Sequence, residues 1–318
     1  MLRYITRRLL IALPVLLVIT VVDFGFIALA PGDPLQAILP QGDTDTGGVS
    51  REAYEAAGLT DSIPVRYVRW IGELVQGNFG ESFRTGKPAI DGIVKAAPNT
   101  IRLALSAAVV AILVGIPLGV LSAIREGSWI DEVLTFYAYT VASIPGFFFA
   151  MIAVFVGAVR LQWFPATGAS SIGSSAGFLD SLHHLALPAL VLGILQTPGY
   201  IRHTRGSVIE TLKEDYVRTA RSKGLSERIV IGRHVLRNAL IPIVTIIGLQ
   251  IPSLVGGSVL IEQVFGWPGL GTLAIQSALF RDYPVFMATA LLYAVAVLIS
   301  SLVTDIAYAV VDPRVRYG

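Results

Sequence analysis

Cysteine is absent from the 318 residues, so disulfides and thiol chemistry are excluded. Charge is also scarce: Asp, Glu, Lys and Arg make up 14% of the chain, and there are only 4 histidines. The phosphate-cradling pattern GxxxxGK followed by Ser or Thr does not occur, and Gly86-Lys87-Pro88 does not replace it, so the chain has no nucleotide-hydrolysing loop of that kind. The zinc motif HExxH is not present. His183 and His184 are neighbours whose side chains diverge on a helix, while His203 and His234 stand alone, so no metal site is expected. A chain without catalytic groups and without a cofactor of its own is the result.

Apolar residues are what the chain has in abundance. They make up 54% of it, with a mean hydropathy of +0.69, more than a soluble domain of this length can bury. Roughly twenty apolar residues cross a hydrocarbon core of ~30 Å as helix. Six windows of that kind are expected to span, at about 9–30, 103–124, 133–159, 181–201, 238–261 and 283–311. The fold class is therefore an all-α membrane protein with six transmembrane helices. Pro188 and Pro198 interrupt the fourth window, which membrane helices tolerate when neighbours satisfy the freed carbonyls. Arg3, Arg7 and Arg8 before an apolar run ending Ala28-Leu29-Ala30 imitate a secretory signal. The run has 22 residues, longer than the ~7–15 of a signal core, so it reads as an uncleaved first span.

Lys and Arg in the flanks and short loops set the orientation. With the N-terminus inside, the inner segments carry 15 basic residues, and the short outer loops carry only Arg160 and Arg281. Both termini are then cytoplasmic, the segment 31–99 is a large extracytoplasmic loop, and 202–237 is a cytoplasmic loop. The outer loop holds 9 acidic and 6 basic residues. In it, Ser50 can cap a short helix through Tyr54 that ends at Gly58, and Ser62 with Pro64 starts a second that ends near Gly77. Val68, Ile71 and Val75 share a face of the second helix, beside Tyr67 and Trp70. That suits either a helix on the membrane surface or one folded onto the protein's own outer face.

The loop 202–237 has 9 basic and 4 acidic residues. Between Ser207 and Lys223, Val208, Leu212, Tyr216 and Ala220 recur every fourth residue and predict one amphipathic helix, with Arg218, Arg221 and Lys223 in its last turn. Gly224 supplies a left-handed stop, Leu225 an apolar contact beyond it, and Ser226 a cap for a second helix through Arg237. Asn238 is placed to cap the fifth span. Helices joined with so little slack transmit displacement to the adjoining span. A positive-inside charge bias and an interfacial pair held by anionic membrane lipid remain alternative readings. Asp23, Glu262 and Asp305 lie in or beside spans, where carboxylates sometimes mark ion paths. Asp23 and Asp305 are the support for a stand-alone secondary transporter or channel.

Several landmarks occur in order: Ala30-Pro31-Gly32-Asp33-Pro34, Pro98-Asn99-Thr100, Gly115-Ile116-Pro117-Leu118-Gly119, Ser143-Ile144-Pro145, Asp215 to Arg221, Lys223-Gly224-Leu225, Leu236-Arg237-Asn238, Trp267 to Gly271 and Asp312-Pro313-Arg314. With them the chain resembles the permease subunits of dipeptide and oligopeptide ABC importers, whose relatives handle nickel, glutathione or oligosaccharides. The resemblance implies the type I importer permease fold in the cell inner membrane. It also implies a homologous second permease, two ATP-binding subunits that carry ATP and Mg, an extracytoplasmic binding protein and a peptide substrate. Nucleic acid is not among the implied partners. The central loop is similar to the family's EAA coupling motif, which implies an ATPase-facing set of Glu214, Asp215, Tyr216, Arg218, Thr219, Ala220, Arg221, Lys223, Gly224 and Leu225. Where the motif has Glu-Ala-Ala this chain has Arg218, Thr219 and Ala220, so the central polar contact is open among Arg218, Arg221 and Glu214. For outer closure and binding-protein docking the expected residues are Phe265, Trp267, Pro268, Gly269 and Tyr283.

Overall fold

The computed structural model describes residues 2–29, 61–171 and 177–311. The landmark Ala30 to Pro34, the helix expected from Ser50 to Gly58, the segment Asp312 to Arg314 and the side chain of Asp305 lie outside the described residues. Packing groups the chain into two compact units. One takes residues up to Asn99 with Pro268–Val295, and the other takes Thr100–Trp267 with the chain from Ala296 onward.

The first unit contains α1 (Leu2–Leu29) and α2 (Ile63–Val75). Pro64 begins α2 in a first turn where its missing N–H costs nothing, but Ser62 makes no side-chain cap. Gly77, at φ +82°, ends it. One face of α2 packs on α1: the Tyr67 ring meets Phe24 edge-on at 5.5 Å, Trp70 lies 6.0 Å from the same ring, and the Tyr67 hydroxyl is 2.9 Å from Thr20 Oγ1. Val65, Val68 and Val75 stay exposed on another face, so α2 is fastened to protein on one side and apolar on the other.

The same unit holds the start of α3 (Ala89–Ile124), then α10 (Leu270–Leu279) and the start of α11 (Tyr283–Val311). Ala89, Ile93, Ala96, Leu270, Val285 and Ala288 form its core. Between α10 and α11, Arg281 takes a left-handed φ of +55°, which turns the buried Asp282 onto the loop before α3. There its carboxylate accepts hydrogen bonds from the Ser82 hydroxyl and, at 3.0 Å, from the Phe83 N–H.

The second unit is built on the remainder of α3, α4 (Trp129–Ser143), α5 (Gly146–Ala153, continued as a π-helical turn through Arg160) and α6 (Phe178–Leu212). It continues through α7 (Asp215–Ser222) and α8 (Glu227–Ile229), a π-helical turn Val230–Val235 and α9 (Leu236–Val264). Glycines let α3 and α6 approach closely. A Cβ on Gly193 would sit 2.6 Å from Val110 Cβ and 2.8 Å from the Ala107 carbonyl, and one on Gly119 would sit 2.8 Å from the Ile201 carbonyl. Pro198 cannot donate to the carbonyl of Ile194, and the Thr197 hydroxyl takes that place at 2.7 Å, so the satisfaction comes from within the helix rather than from a neighbour.

Among the described residues, four helices are long and apolar enough to cross a membrane, at Thr6–Leu29, Ala89–Ile124, Phe178–Leu212 and Tyr283–Thr304. The window expected as one span at 133–159 is instead two helices bent by 101° at Ile144-Pro145, and counts as a fifth crossing only if the bent pair is one span. Proline at that point removes a backbone donor and disfavours helix in the residue before it. The window at 238–261 falls on α9, 29 residues long, many of whose side chains lie outside the described ones.

Candidate functional site

The region expected to receive a partner is the elbow from Lys213 to Val235. α6 runs unbroken from its apolar stretch to Leu212, so the loop begins as a continuation of that helix. Glu214 is extended (φ −68°, ψ 144°), and its carbonyl accepts the N–H groups of Val217 and Arg218, which starts α7 in a new direction. The single helix expected from Ser207 to Lys223 is therefore two. The extended residue resets the helical phase, so Val217, wholly buried, takes the inward place expected for Tyr216, which is 41% exposed.

α7 ends in a Schellman motif. Gly224 has φ +75°, its N–H bonds to the Arg221 carbonyl at 2.9 Å, and the Leu225 N–H reaches the Ala220 carbonyl. A Cβ on Gly224 would meet nothing within 4 Å, so the requirement for glycine there is one of backbone conformation alone. Ser226 starts the next helix through its carbonyl, which accepts from Ile229 and Val230, and makes no side-chain cap. Nor does Asn238 cap a separate span. It lies within the continuous helix, and its amide donates to the His234 carbonyl. From Glu227 to Val264 the chain stays helical, so elbow and α9 are one rod with a π-helical turn in it.

Beneath the elbow, Ala123 of α3, Val208 and Ile209 of α6, Val217 and Ala220 of α7, Val230, Val235 and Ala239 form a continuous buried cluster. One face of α7 is thus fixed to the unit by apolar burial. Its other face is polar: the side chains of Asp215 and Arg218 are 95% and 79% exposed, and 3.7 Å apart. Thr219 spends its hydroxyl on the Asp215 carbonyl, and Lys223 is the C-cap residue. Arg221 is engaged elsewhere. Its guanidinium grips Glu227 with two hydrogen bonds, at 2.8 and 3.3 Å, across the Gly224 turn. That bond holds the Glu227 carboxyl below its ordinary range. Burial, and then the nearby Glu214 carboxylate, push the Tyr216 phenol up.

Reading the chain for local pattern missed Val217 and Glu227. The signal for Glu227 was an acid three residues beyond a glycine stop, facing an arginine three residues before it.

Of the residues expected at outer closure and binding-protein docking, Phe265 and Trp267 are 2% exposed and part of the second unit's core. They come after α9 in another Schellman turn, at Gly266 (φ +54°). Pro268 is exposed, and its carbonyl accepts from the Asn99 side chain at 2.9 Å; Gly269 caps α10; Tyr283 packs edge-on against Phe83. Those last three belong to the first unit. Glu262 is wholly buried and accepts from Thr100 Oγ1 at 2.7 Å and Ser258 Oγ at 3.2 Å. No group of three or more metal-ligating side chains occurs among the described residues.

Residues 115–317 match the family described as the inner membrane component of binding-protein-dependent transport systems, and residues 1–104 match the N-terminal region of such components. The chain belongs to that family. It is a multi-pass inner-membrane protein, a transport component and not itself an enzyme. It is similar to the oligopeptide transport system permease protein AppB of Bacillus subtilis, at 45% identity over 99% of both chains. It is also similar to the glutathione transport system permease protein GsiC of Salmonella typhimurium, at 38% over the full length of both. The dipeptide transport system permease protein DppB of Alkalihalophilus pseudofirmus is 36% identical, again over the full length of both. Among solved structures, the MetNI methionine ABC transporter in an inward-facing conformation matches with a TM-score of 0.57 at 17% identity, covering 69% of this chain and 96% of that one. That likeness speaks for the fold.

Proposed function

We propose that this chain is the permease subunit of an ATP-driven importer that moves short peptides, delivered by an extracytoplasmic binding protein, across the cytoplasmic membrane. In this reading it has six spans, both termini lie in the cytoplasm, and it pairs with a homologous permease. Two ATP-binding subunits sit at the Gly224 elbow. Relatives that extend over the whole length and are named for oligopeptides, dipeptides and glutathione, itself a tripeptide, support the substrate class. The same relatives favour this reading over a stand-alone transporter working through Asp23 and Asp305.

The observation that carries the mechanism is the two-sided α7, welded into an apolar cluster below and displaying Asp215 and Arg218 above. A partner gripping the polar face moves the cluster, because close-packed interiors shift as bodies rather than deform. Arg221 is held within the elbow, so Arg218 and Asp215 are the polar groups offered to the ATPase. Stronger binding of ATP to the closed ATPase pair supplies the bias between inward- and outward-facing states, and hydrolysis resets it. The permease needs only to be stiff where it is pushed.

Gly224→Val tests this in the assembled complex. A β-branched residue at φ +75° is strained, while its Cβ would meet nothing within 4 Å. Substrate-stimulated ATP hydrolysis and uptake should both fall. Undiminished uptake with full stimulation would reject the elbow as the coupling element.

A further inference from the structure

A second buried polar device stands in the same unit, at the turn between α3 and α4. The Asp131 side chain is 7% exposed, and its two carboxylate oxygens take four donors. Arg205 of α6 supplies two in a fork, Nε to Oδ1 at 2.7 Å and Nη2 to Oδ2 at 2.8 Å. The Ser122 hydroxyl at the end of α3 supplies a third, and the Gly127 N–H, at 3.0 Å in the turn itself, the fourth. Each oxygen has two donors, so the group is saturated and has no lone pair left for a ligand or a water. It is a joint among three elements rather than a binding site.

Its position gives that joint a mechanical meaning. Arg205 precedes the end of α6 by seven residues, about 10 Å along an unbroken helix that leads straight into the elbow. On α3, the residue after Ser122 is Ala123, which is buried in the cluster beneath α7. The element that enters the elbow's core is therefore the element that bonds Asp131 at the adjacent residue. A paired and saturated buried carboxylate resists partial opening, because losing one donor exposes a charge to an apolar surrounding.

We propose that Asp131 and Arg205 are positioning residues for transport: they make the Ile124 end of α3 and the start of α4 part of the body that moves with α7, so that displacement of the elbow reaches α4 as well as α9. This rests on the coupling reading above. It adds a second route, through α6 and the ion pair, to the direct one through the α8–α9 rod.

Because the chain lacks cysteine, spin labels can be placed in it without competing sites. Labels at Glu126→Cys, in the turn, and Lys213→Cys, at the end of α6, both exposed, report whether the two ends move together. In the complete complex, the distance between them should be single and equal in the nucleotide-free and ATP-trapped states. In Asp131→Asn the distribution should broaden, and peptide moved per ATP hydrolysed should fall by about tenfold. Arg205→Lys, which keeps the charge and loses the fork, should lie between the two.

A distance in the wild-type background that changes with nucleotide would overturn the proposal, whether or not the variants assemble. So would an Asp131→Asn complex with an unaltered ratio of peptide to ATP. Failure of the coupling reading is separately visible, since Gly224→Val would then leave transport intact.

Discussion

Gly224 and Gly266 end their helices with the same backbone device. Each has a positive φ, each N–H bonds the carbonyl three residues back, and in each the next N–H reaches five residues back. Their surroundings differ. After Gly224 comes Leu225, 37% exposed, beneath a helix whose charged side faces outward. After Gly266 comes Trp267, 2% exposed, with Phe265 equally buried before the turn. One turn leaves its helix available to another protein and the other locks it into a core. Turn chemistry fixes where the chain changes direction, and burial decides whether that place can take up force from outside.

The largest expected effect breaks the locked turn. Trp267→Ala removes a fully packed ring and should cost about 3–5 kcal/mol, seen as loss of assembled permease or a lower melting temperature in detergent. Leu225→Ala at the other turn should change stability by less than ~1 kcal/mol, because a partly exposed side chain has less to lose. Glu262→Ala removes a wholly buried carboxylate that accepts from the Thr100 and Ser258 hydroxyls, at a cost of roughly 2–3 kcal/mol in the same assay. Gly224→Val comes next, destabilising by about 1–2 kcal/mol through strain alone. Gly224→Asn should recover most of both stability and transport, since asparagine tolerates the left-handed region.

The smallest effect concerns the Arg221–Glu227 staple. Its carboxyl is held below the ordinary range, so the staple contributes above that range and is lost as pH falls through the lowered value. Protection of the amides around Gly224, taken relative to free-peptide exchange at the same pH, should therefore fall on acidification, and in Glu227→Gln it should be low already at neutral pH.

Local chemistry made much of this legible in the sequence. Glycine stops were readable at Gly77 and Gly224 because a left-handed residue is nearly confined to glycine, and the proline start of α2 was readable from its missing donor. Apolar length gave the membrane class. What stayed hidden depends on packing between distant segments. The phase reset at Glu214 put Val217 inside where unbroken counting put Tyr216. The 101° bend at Ile144-Pro145 lay within a window uniform in hydropathy. The burial of Phe265 and Trp267 beside the Gly266 turn depends on residues as distant in sequence as Leu103 and Leu187. Asp131 and Arg205 are 74 residues apart, beyond any helical periodicity.

The central claim is that an ATP-hydrolysing subunit sits on the polar face of α7. A photo-reactive cross-linker on Arg218→Cys, activated in the intact membrane complex, tests it most directly. The account predicts capture of the ATP-hydrolysing subunit, with a yield that changes between nucleotide-free and ATP-trapped states. Capture of the extracytoplasmic binding protein, or labelling of Arg218→Cys by an impermeant reagent added outside intact cells, would contradict it.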